Sequence, residues 1–485
     1  MKQIIIYTLL IVFAAFTSCK DDAEIVQAPV ISGVENAYTI VEGAKLELNP
    51  TIENANNATY LWQLNGEEVA KTQKYVFDQS NAGEYILILK VGNEGGVDVI
   101  KITIIVGAKD MTLEGVAHTL ISLELPDYIK DNGEIKWNVL ETPSELYRLS
   151  QISTEEDPLF IAAEEGTYLL QISSGDVKGI VTVIISEPTE APSAYISQVF
   201  DYLPAPGQFV NKMPTYNQGD THETMLAKVT ESIVGNEAKV ITLGGWGGYV
   251  TFGFDHTLVN VAGKQDFRIE GNGFTNSSEP GIVMVSYDAN GNGKPDDEWY
   301  EIVGSGNFTA ENEEWYQSAF ETGNDVNTYR DFEMTYHRPE VEENAPLKEY
   351  IRWTNNKEEE GFKEKNSFHR QSYYPLWIDA DKITFSGVRL AQSGVDASGK
   401  GTFFTLKSYK YGYVDNHSNT DARSTFDIDW AIDKDGNKAN LPGIDFVKVY
   451  TGVDQENGWI GENSTEVGRG SDLHLLGKSI DTIKE

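Results

Sequence analysis

At 485 residues the chain is too long for one hydrophobic core and implies about three domains of roughly 100 to 200 residues each. Hydrophobic residues make up 40% and aromatics 11%, which excludes a wholly disordered chain. The formal net charge of −37 argues against nucleic acid as a partner, because phosphate binding rests on Lys and Arg, and it suits a secreted, soluble, cation-tolerant protein.

Met1 and Lys2 precede an apolar run over residues 4–16, too short to span a bilayer but of the right length for a signal-peptide core. Thr17 and Ser18 then lead to Cys19, the only cysteine. This order predicts a bacterial lipoprotein signal over 1–18, cleaved before a lipidated Cys19, although Phe16 stands where such signals more often carry Leu. A cleaved secretory peptide with an incidental cysteine is the competing reading. Lys20-Asp21-Asp22 resembles the lysine-then-acidic export signal of Bacteroidota lipoproteins, so residues 19–27 read as a linker on the outer face of the outer membrane.

Residues 28–107 alternate in strand fashion around Tyr60-Leu61-Trp62-Gln63-Leu64 and turn at Asn65-Gly66, a dipeptide suited to a two-residue hairpin. Longer runs over 83–91 and 98–106 read as paired strands. Short strands with one central Trp indicate an immunoglobulin-like sandwich, and their order resembles PKD-type domains. Trp62 is expected in its core. Residues 108–187 repeat the plan, with Trp137 echoing Trp62 and 165–172 echoing the later strand. Two such sandwiches in series fit a stalk. The segment 188–193, with two prolines and small polar residues, reads as a linker.

Beyond it, 194–485 forms one large domain. Asp220 and Glu223 have capping-box spacing, and Met225, Leu226, Val229 and Ile233 follow at helical intervals until Gly235. The remainder is strands and turns, including 239–243, 248–254, 266–272, 282–287, 331–336, 382–387, 426–432 and 443–450. The chain is therefore expected to be all-β: two Ig/PKD-like sandwiches followed by a large jelly-roll-like β-sandwich with long loops.

Four clusters in this domain carry candidate chemistry. Asp288, Asn290 and Asn292 occupy positions 1, 3 and 5 of an EF-hand-like loop with Gly293 at 6, but Trp299 stands where the closing acid belongs. Asp296, Asp297 or Glu298 would have to supply it. The expectation is a structural calcium loop on a β scaffold; the alternative is a plain turn. Asp427 and Asp429 are expected on one strand face, with Asp433, Asp435 and Asn437 in a turn beyond, either a second metal site or a hydrated hairpin. The string 366–377 offers His369, Arg370, Tyr373, Tyr374 and Trp377 for stacking and hydrogen bonding to a ligand, or for packing a long loop. Gly244-Gly245-Trp246-Gly247-Gly248-Tyr249 could present Trp246 and Tyr249 at a binding surface or turn a sheet corner with Trp246 in the core. Trp459 reads as a loop-tip aromatic.

No nucleophile motif is present, and the histidines lack metal-ligand spacing, so an enzyme is not expected. His256 beside Asp255 is the best general-base candidate, with a structural strand-end histidine as the blander reading. A glycan-cleaving carboxylate pair is the remaining enzymatic alternative.

The segments GGWGGYVTFGFDH, DFRIEGN, EPGIVMVSYDANGNGKPDDEWYEI, KNSFHRQSYYPLW and FDIDWAIDKDGNKANLPGIDFVKVYTG together resemble the C-terminal domain of Bacteroidota "cell surface protein" lipoproteins with PKD-like N-terminal domains. The architecture is also similar to BtuH-type surface lipoproteins, which capture cobalamin. The resemblance implies a surface lipoprotein that captures a nutrient ligand, a corrinoid such as vitamin B12, for a TonB-dependent uptake system. A glycan stacked on aromatic platforms is the alternative cargo.

Overall fold

The computed structural model describes residues 26–81, 83–107, 112–123, 134–150, 158–174, 177–237 and 239–483. The expected signal segment, Cys19 and Lys20-Asp21-Asp22 lie outside the described residues. The chain divides into two compact units, residues 1–111 with 176–181, and residues 112–175 with 182–485. No helix among the described residues is long and apolar enough to cross a membrane.

In the first unit a five-stranded sheet runs in the order Ala37–Val41, Gly96–Gly107, Gly83–Asn93, Thr59–Leu64, Glu67–Ala70. Alternation along Gly83–Asn93 puts Leu87, Leu89 and Val91 on the buried face, because the side-chain period of a strand is two. They pack around Trp62, which is fully buried, stacks on Tyr75 with centroids 5.3 Å apart, and donates from Nε1 to the Thr72 carbonyl at 2.8 Å. The hairpin at Asn65-Gly66 forms as expected: both residues have positive φ, +48° and +91°, as a two-residue turn matched to strand twist requires.

The repeat of this plan follows in sequence. A four-stranded sheet has the order Thr112–Val116, Val177–Ser186, Gly166–Ser174, Ile135–Glu141, and a three-stranded sheet joins Ile121–Ser122, Leu159–Ala162 and Tyr147–Ser150. Trp137, expected to repeat the core role of Trp62, is only half-buried. This sandwich touches the domain that follows at more than the 188–193 segment. Ile161 packs with Val259 and Val261, and Arg148 pairs with Asp429 at 2.5 Å.

The C-terminal domain is built on a six-stranded antiparallel sheet in the order Gln198–Leu203, Tyr249–Val259, Gly443–Thr451, Gly281–Ser286, Tyr300–Ile302, Ala431–Ile432. Both faces are covered. Val283, Val285, Val447 and Val449 face one core, together with Val229 and Ile233 of helix α1 (His222–Ile233), while Ile282 and Tyr450 face another. A four-stranded antiparallel sheet, Glu360–Lys365, Leu347–Asn355, Tyr329–His337, Lys382–Arg389, supplies a third core around Phe332, Met334, Tyr336 and Phe385. The fold class is all-β, and none of the sheets among the described residues closes on itself.

Two local expectations are corrected. The cap of α1 is Thr221, whose side chain accepts from the Thr224 N–H; Asp220 instead accepts through Oδ2 from Lys228 and from the Asn217 N–H. Phe426 to Ile432 is not one strand. Asp427 caps a short 3-10 turn, Ile428–Trp430, and accepts from the Asp429 N–H at 2.8 Å, so the two carboxylates do not share a strand face.

Candidate functional site

Three carboxylates from distant parts of the chain meet inside the C-terminal domain. Glu279 lies just before the strand Gly281–Ser286, Asp415 just after the bridge between Val414 and Gly281, and Glu466 opens the strand Glu466–Val467. One carboxylate oxygen of each lies within 4.8 Å of the others. Asp415 and Glu466 are 3% and 2% exposed, and Glu279 is half-buried.

Backbone donors hold the group together. Asp415 Oδ1 accepts from the Asn272 N–H at 2.6 Å and its Oδ2 from the Glu466 N–H at 3.0 Å. Glu279 Oε1 accepts from the Ser464 N–H at 2.9 Å. The Ser464 hydroxyl, 2.6 Å from Thr242 Oγ1, donates to Glu466 Oε1 at 3.2 Å. Glycine is needed alongside, since a Cβ at Gly273 would lie 2.6 Å from the Asp415 carbonyl oxygen.

Burial dominates the electrostatics. It pushes the Asp415 carboxyl up to about 7, although backbone N–H groups favour the charged form. Glu466 is raised well above the carboxylate range by burial and then by the charges of Glu279 and Asp415, and Glu279 by burial and then by Asp415. A fourth acid, Glu462, is pushed up to about 7 by burial, with Lys363 opposing. Like charges this close cannot all ionise unaided, so at neutral pH the trio retains protons or faces hydrogen-bond donors or a cation.

Glu279 and Glu466 line a cleft of about 560 Å³, within the range of small-molecule sites. Its other walls include Phe209, Phe274, Phe368, His369 and Trp459. Phe274, Phe368 and Trp459 are 61%, 70% and 56% exposed, so aromatic faces ring an opening whose acids lie deeper. Asn366 Oδ1 accepts from the N–H groups of Phe368 and His369 at 2.9 and 2.8 Å and fixes the turn that carries both. The His369 ring stands edge-on to Phe209 at 4.8 Å; burial, then Lys212, lowers its pKa, and its buried Nδ1 has no partner among the described residues.

Of the ligand residues read from the sequence, only His369 and Trp459 reach this cleft. Trp246, Tyr373 and Tyr374 are core residues, each 1% exposed or less, and cannot stack on a ligand. Trp246 donates from Nε1 to the Val388 carbonyl at 3.2 Å, and its glycines turn a corner where a Cβ at Gly248 would meet the Leu243 carbonyl oxygen at 1.9 Å. Tyr249 lines a different cleft, of about 460 Å³, with Trp299, Glu301, Arg330 and Lys448, and donates to Asp201 at 2.6 Å. Trp377 is half-buried and stacks on Tyr202, centroids 6.0 Å apart. Arg370 is exposed and donates to the Ser367 carbonyl. Phe368 belongs to the 366–377 string, but Glu279, Asp415, Glu466, Phe209 and Phe274 were not legible as a site, because their sequence separations follow no motif. The one usable signal was an acid set among strand residues, as in Thr465-Glu466-Val467.

The 288–298 loop gathers its oxygens. Asp288 accepts from the N–H groups of Asn292 and Gly293 at 3.0 and 2.8 Å, while Asn290 Nδ2 donates to Asp296 and Asp297 at 3.1 and 3.2 Å. Asn292 Nδ2 donates to both oxygens of Asp296 at 3.1 Å. Asp297 Oδ2 is buried without a partner among the described residues. Asp288, Asp296 and Asp297 offer the oxygens a hard cation takes, while the amides of Asn290 and Asn292 present nitrogen to Asp296 and Asp297 and oxygen to backbone N–H groups. Glu298 instead accepts from the Tyr300 hydroxyl at 3.2 Å and stands apart from the set. In the other acidic cluster Asp433 accepts from the N–H groups of Asp435 and Asn437, the pattern of a closed turn.

Residues 29–93 match the PKD-like domain family. The solution structure of the PKD domain of human KIAA0319 is similar at 16% identity and a TM-score of 0.16, over 19% of this chain and 92% of that one. An I-band fragment of titin is similar at 13% identity and a TM-score of 0.15 over 33% of this chain, which spans only 66% of the fragment. The immunoglobulin domains 1–5 of Sidekick-1 are similar at 18% identity and a TM-score of 0.17, over 37% and 43% of the two chains. No curated protein matches. The chain therefore carries a PKD-like domain over residues 29–93, and its all-β class rests on its own sheet topology.

Proposed function

We propose that the chain is a surface lipoprotein of the outer membrane whose C-terminal domain captures a nutrient ligand in the cleft lined by Glu279 and Glu466. The observation that carries the capture reading is the pairing of buried acceptors with exposed aromatic faces in one small-molecule-sized cavity, while the lipoprotein reading rests on Cys19 and Lys20-Asp21-Asp22 in the sequence. Such a site takes a ring-shaped ligand that offers apolar faces to Phe368 and Trp459 and hydrogen-bond donors to the carboxylates. Delivery would be to a TonB-dependent transporter, with the calcium loop at 288–298 as a structural support.

A corrinoid meets these requirements through its ring system and its peripheral amide N–H donors. The exposure of Phe274, Phe368 and Trp459 favours it, because these side chains can cover a ligand larger than the cleft. A glycan is the second reading, favoured by the carboxylates, which accept from sugar hydroxyls.

Calorimetric titration of the purified chain with cyanocobalamin, and separately with a panel of oligosaccharides, tests the proposal. Saturable binding of one class, weakened by Trp459→Ala, is expected. Absence of binding by both classes at micromolar concentrations refutes the reading.

A further inference from the structure

A second cluster lies outside the cleft, where the second sandwich meets the C-terminal domain. His118 follows the strand Thr112–Val116, His256 sits on Tyr249–Val259, and Asp472 ends Gly470–Asp472. One donor atom from each lies within 4.8 Å of the others. His118 is 7% exposed, and the side chains of His256 and Asp472 are 4% and 1% exposed. The two imidazoles stand nearly perpendicular, 85° between planes and 5.0 Å between centroids.

The surroundings have the organisation of a ligand set. His256 Nδ1 is 2.9 Å from Asp255 Oδ1, and both Asp255 oxygens accept from the Ser193 N–H at 3.1 Å. A carboxylate behind an imidazole fixes the ring and leaves Nε2 to coordinate. His256 Nε2 faces Asp472 Oδ2 at 3.0 Å. Asp472 Oδ1 is occupied by the N–H groups of His474 and Leu475, at 2.7 and 3.0 Å, so Oδ2 alone faces the cluster. The buried Nδ1 of His118 has no hydrogen-bond partner among the described residues. A buried nitrogen without a partner is costly, and a bound cation would supply the missing one. His118 also holds a left-handed backbone, φ +62°, kept in place by its N–H donating to Ala162 and its carbonyl accepting from Thr257, at 2.8 and 3.1 Å.

We propose that His118, His256 and Asp472 form a binding site for a zinc-class divalent cation that cross-links the second sandwich to the C-terminal domain. Two imidazole nitrogens and one carboxylate oxygen are a borderline-soft donor set, and water completes a tetrahedron. The cation replaces the proton between His256 and Asp472, and that proton leaves to solvent. Tetrahedral coordination at about 2.0–2.2 Å brings the donor atoms closer together than their present spread of up to 4.8 Å, which asks a small side-chain rotation of His118.

The test uses the full chain, stripped with chelator and then held in excess calcium so that the acidic loop and the cleft carboxylates do not compete. Titration with zinc chloride is expected to show one saturable site per chain. His118→Asn, chosen because Asn tolerates a left-handed backbone, is expected to weaken it at least tenfold with an unchanged circular dichroism spectrum. Cobalt(II) in place of zinc should give the intense visible absorption of a tetrahedral, nitrogen-containing site. Absence of a saturable zinc site, or affinity unchanged in H118N, overturns the proposal. Should H118N fail to fold, a weak octahedral cobalt spectrum in the unaltered chain overturns it equally.

Discussion

Glu466→Gln isolates the energetics of the buried acids. At the 4.8 Å limit and an effective dielectric constant of about 20, each ionised pair among Glu279, Asp415 and Glu466 repels by roughly 3 kcal/mol. Gln keeps the shape, and the partner of Glu466 Oε1, the Ser464 hydroxyl, can reorient to suit an amide. The sign follows from the raised pKa values. These carboxyls hold protons more tightly folded than unfolded, so their contribution is fully present at acid pH and is lost as pH rises through the folded value, about 7 for Asp415. Urea unfolding of chelator-treated, ligand-free protein is the assay. At pH 5 the variant should differ from the parent by less than about 1 kcal/mol; at pH 8 it should be more stable by about 3 kcal/mol. A variant equally destabilised at both pH values would refute the reasoning, because it would show that packing or hydrogen bonding, and not charge, governs the cluster.

Trp459→Ala and Phe368→Ala, made separately, should each weaken ligand binding by about 1–3 kcal/mol while leaving the thermal midpoint within a degree or two, since both side chains are largely exposed; calorimetry and thermal unfolding check the pair. Trp62→Ala should cost the PKD-like domain about 3–5 kcal/mol through the cavity it leaves, seen as an earlier unfolding transition with ligand affinity unaltered. Removing calcium with chelator should lower the unfolding midpoint of the C-terminal domain, and Asp288→Asn should reduce the difference between calcium-loaded and chelated protein; equal midpoints in both states would leave 288–298 a plain turn.

Local chemistry was legible where neighbours in sequence settle it. Asn65-Gly66 forms its hairpin because both positions need positive φ, and Trp62 is buried because its strand alternates about it. Met225, Val229 and Ile233 share the buried face of α1 because their spacing follows the helical period. The oxygens of 288–297 converge because Asx side chains bond to backbone within a few residues. Aromatic side chains were harder to place. Trp246, Tyr373 and Tyr374 suit a core as well as a binding face, and only the packing of the four-stranded sheet over them decides.

What the sequence by itself determined is the all-β class and the PKD-like domain, read over 28–107 and matched over 29–93, since each rests on periodicities and turns that operate over a few residues. Only the tertiary structure decided the sites. Glu279, Asp415 and Glu466 come from three separate segments, brought together when Gly281 bridges to Val414 and Glu466–Val467 pairs with Ile241–Thr242. His118 reaches His256 and Asp472 through the packing of one sandwich on the next domain. Charges and lone pairs so far apart in the chain share no local rule; they meet because the strands that carry them must bury their apolar faces together.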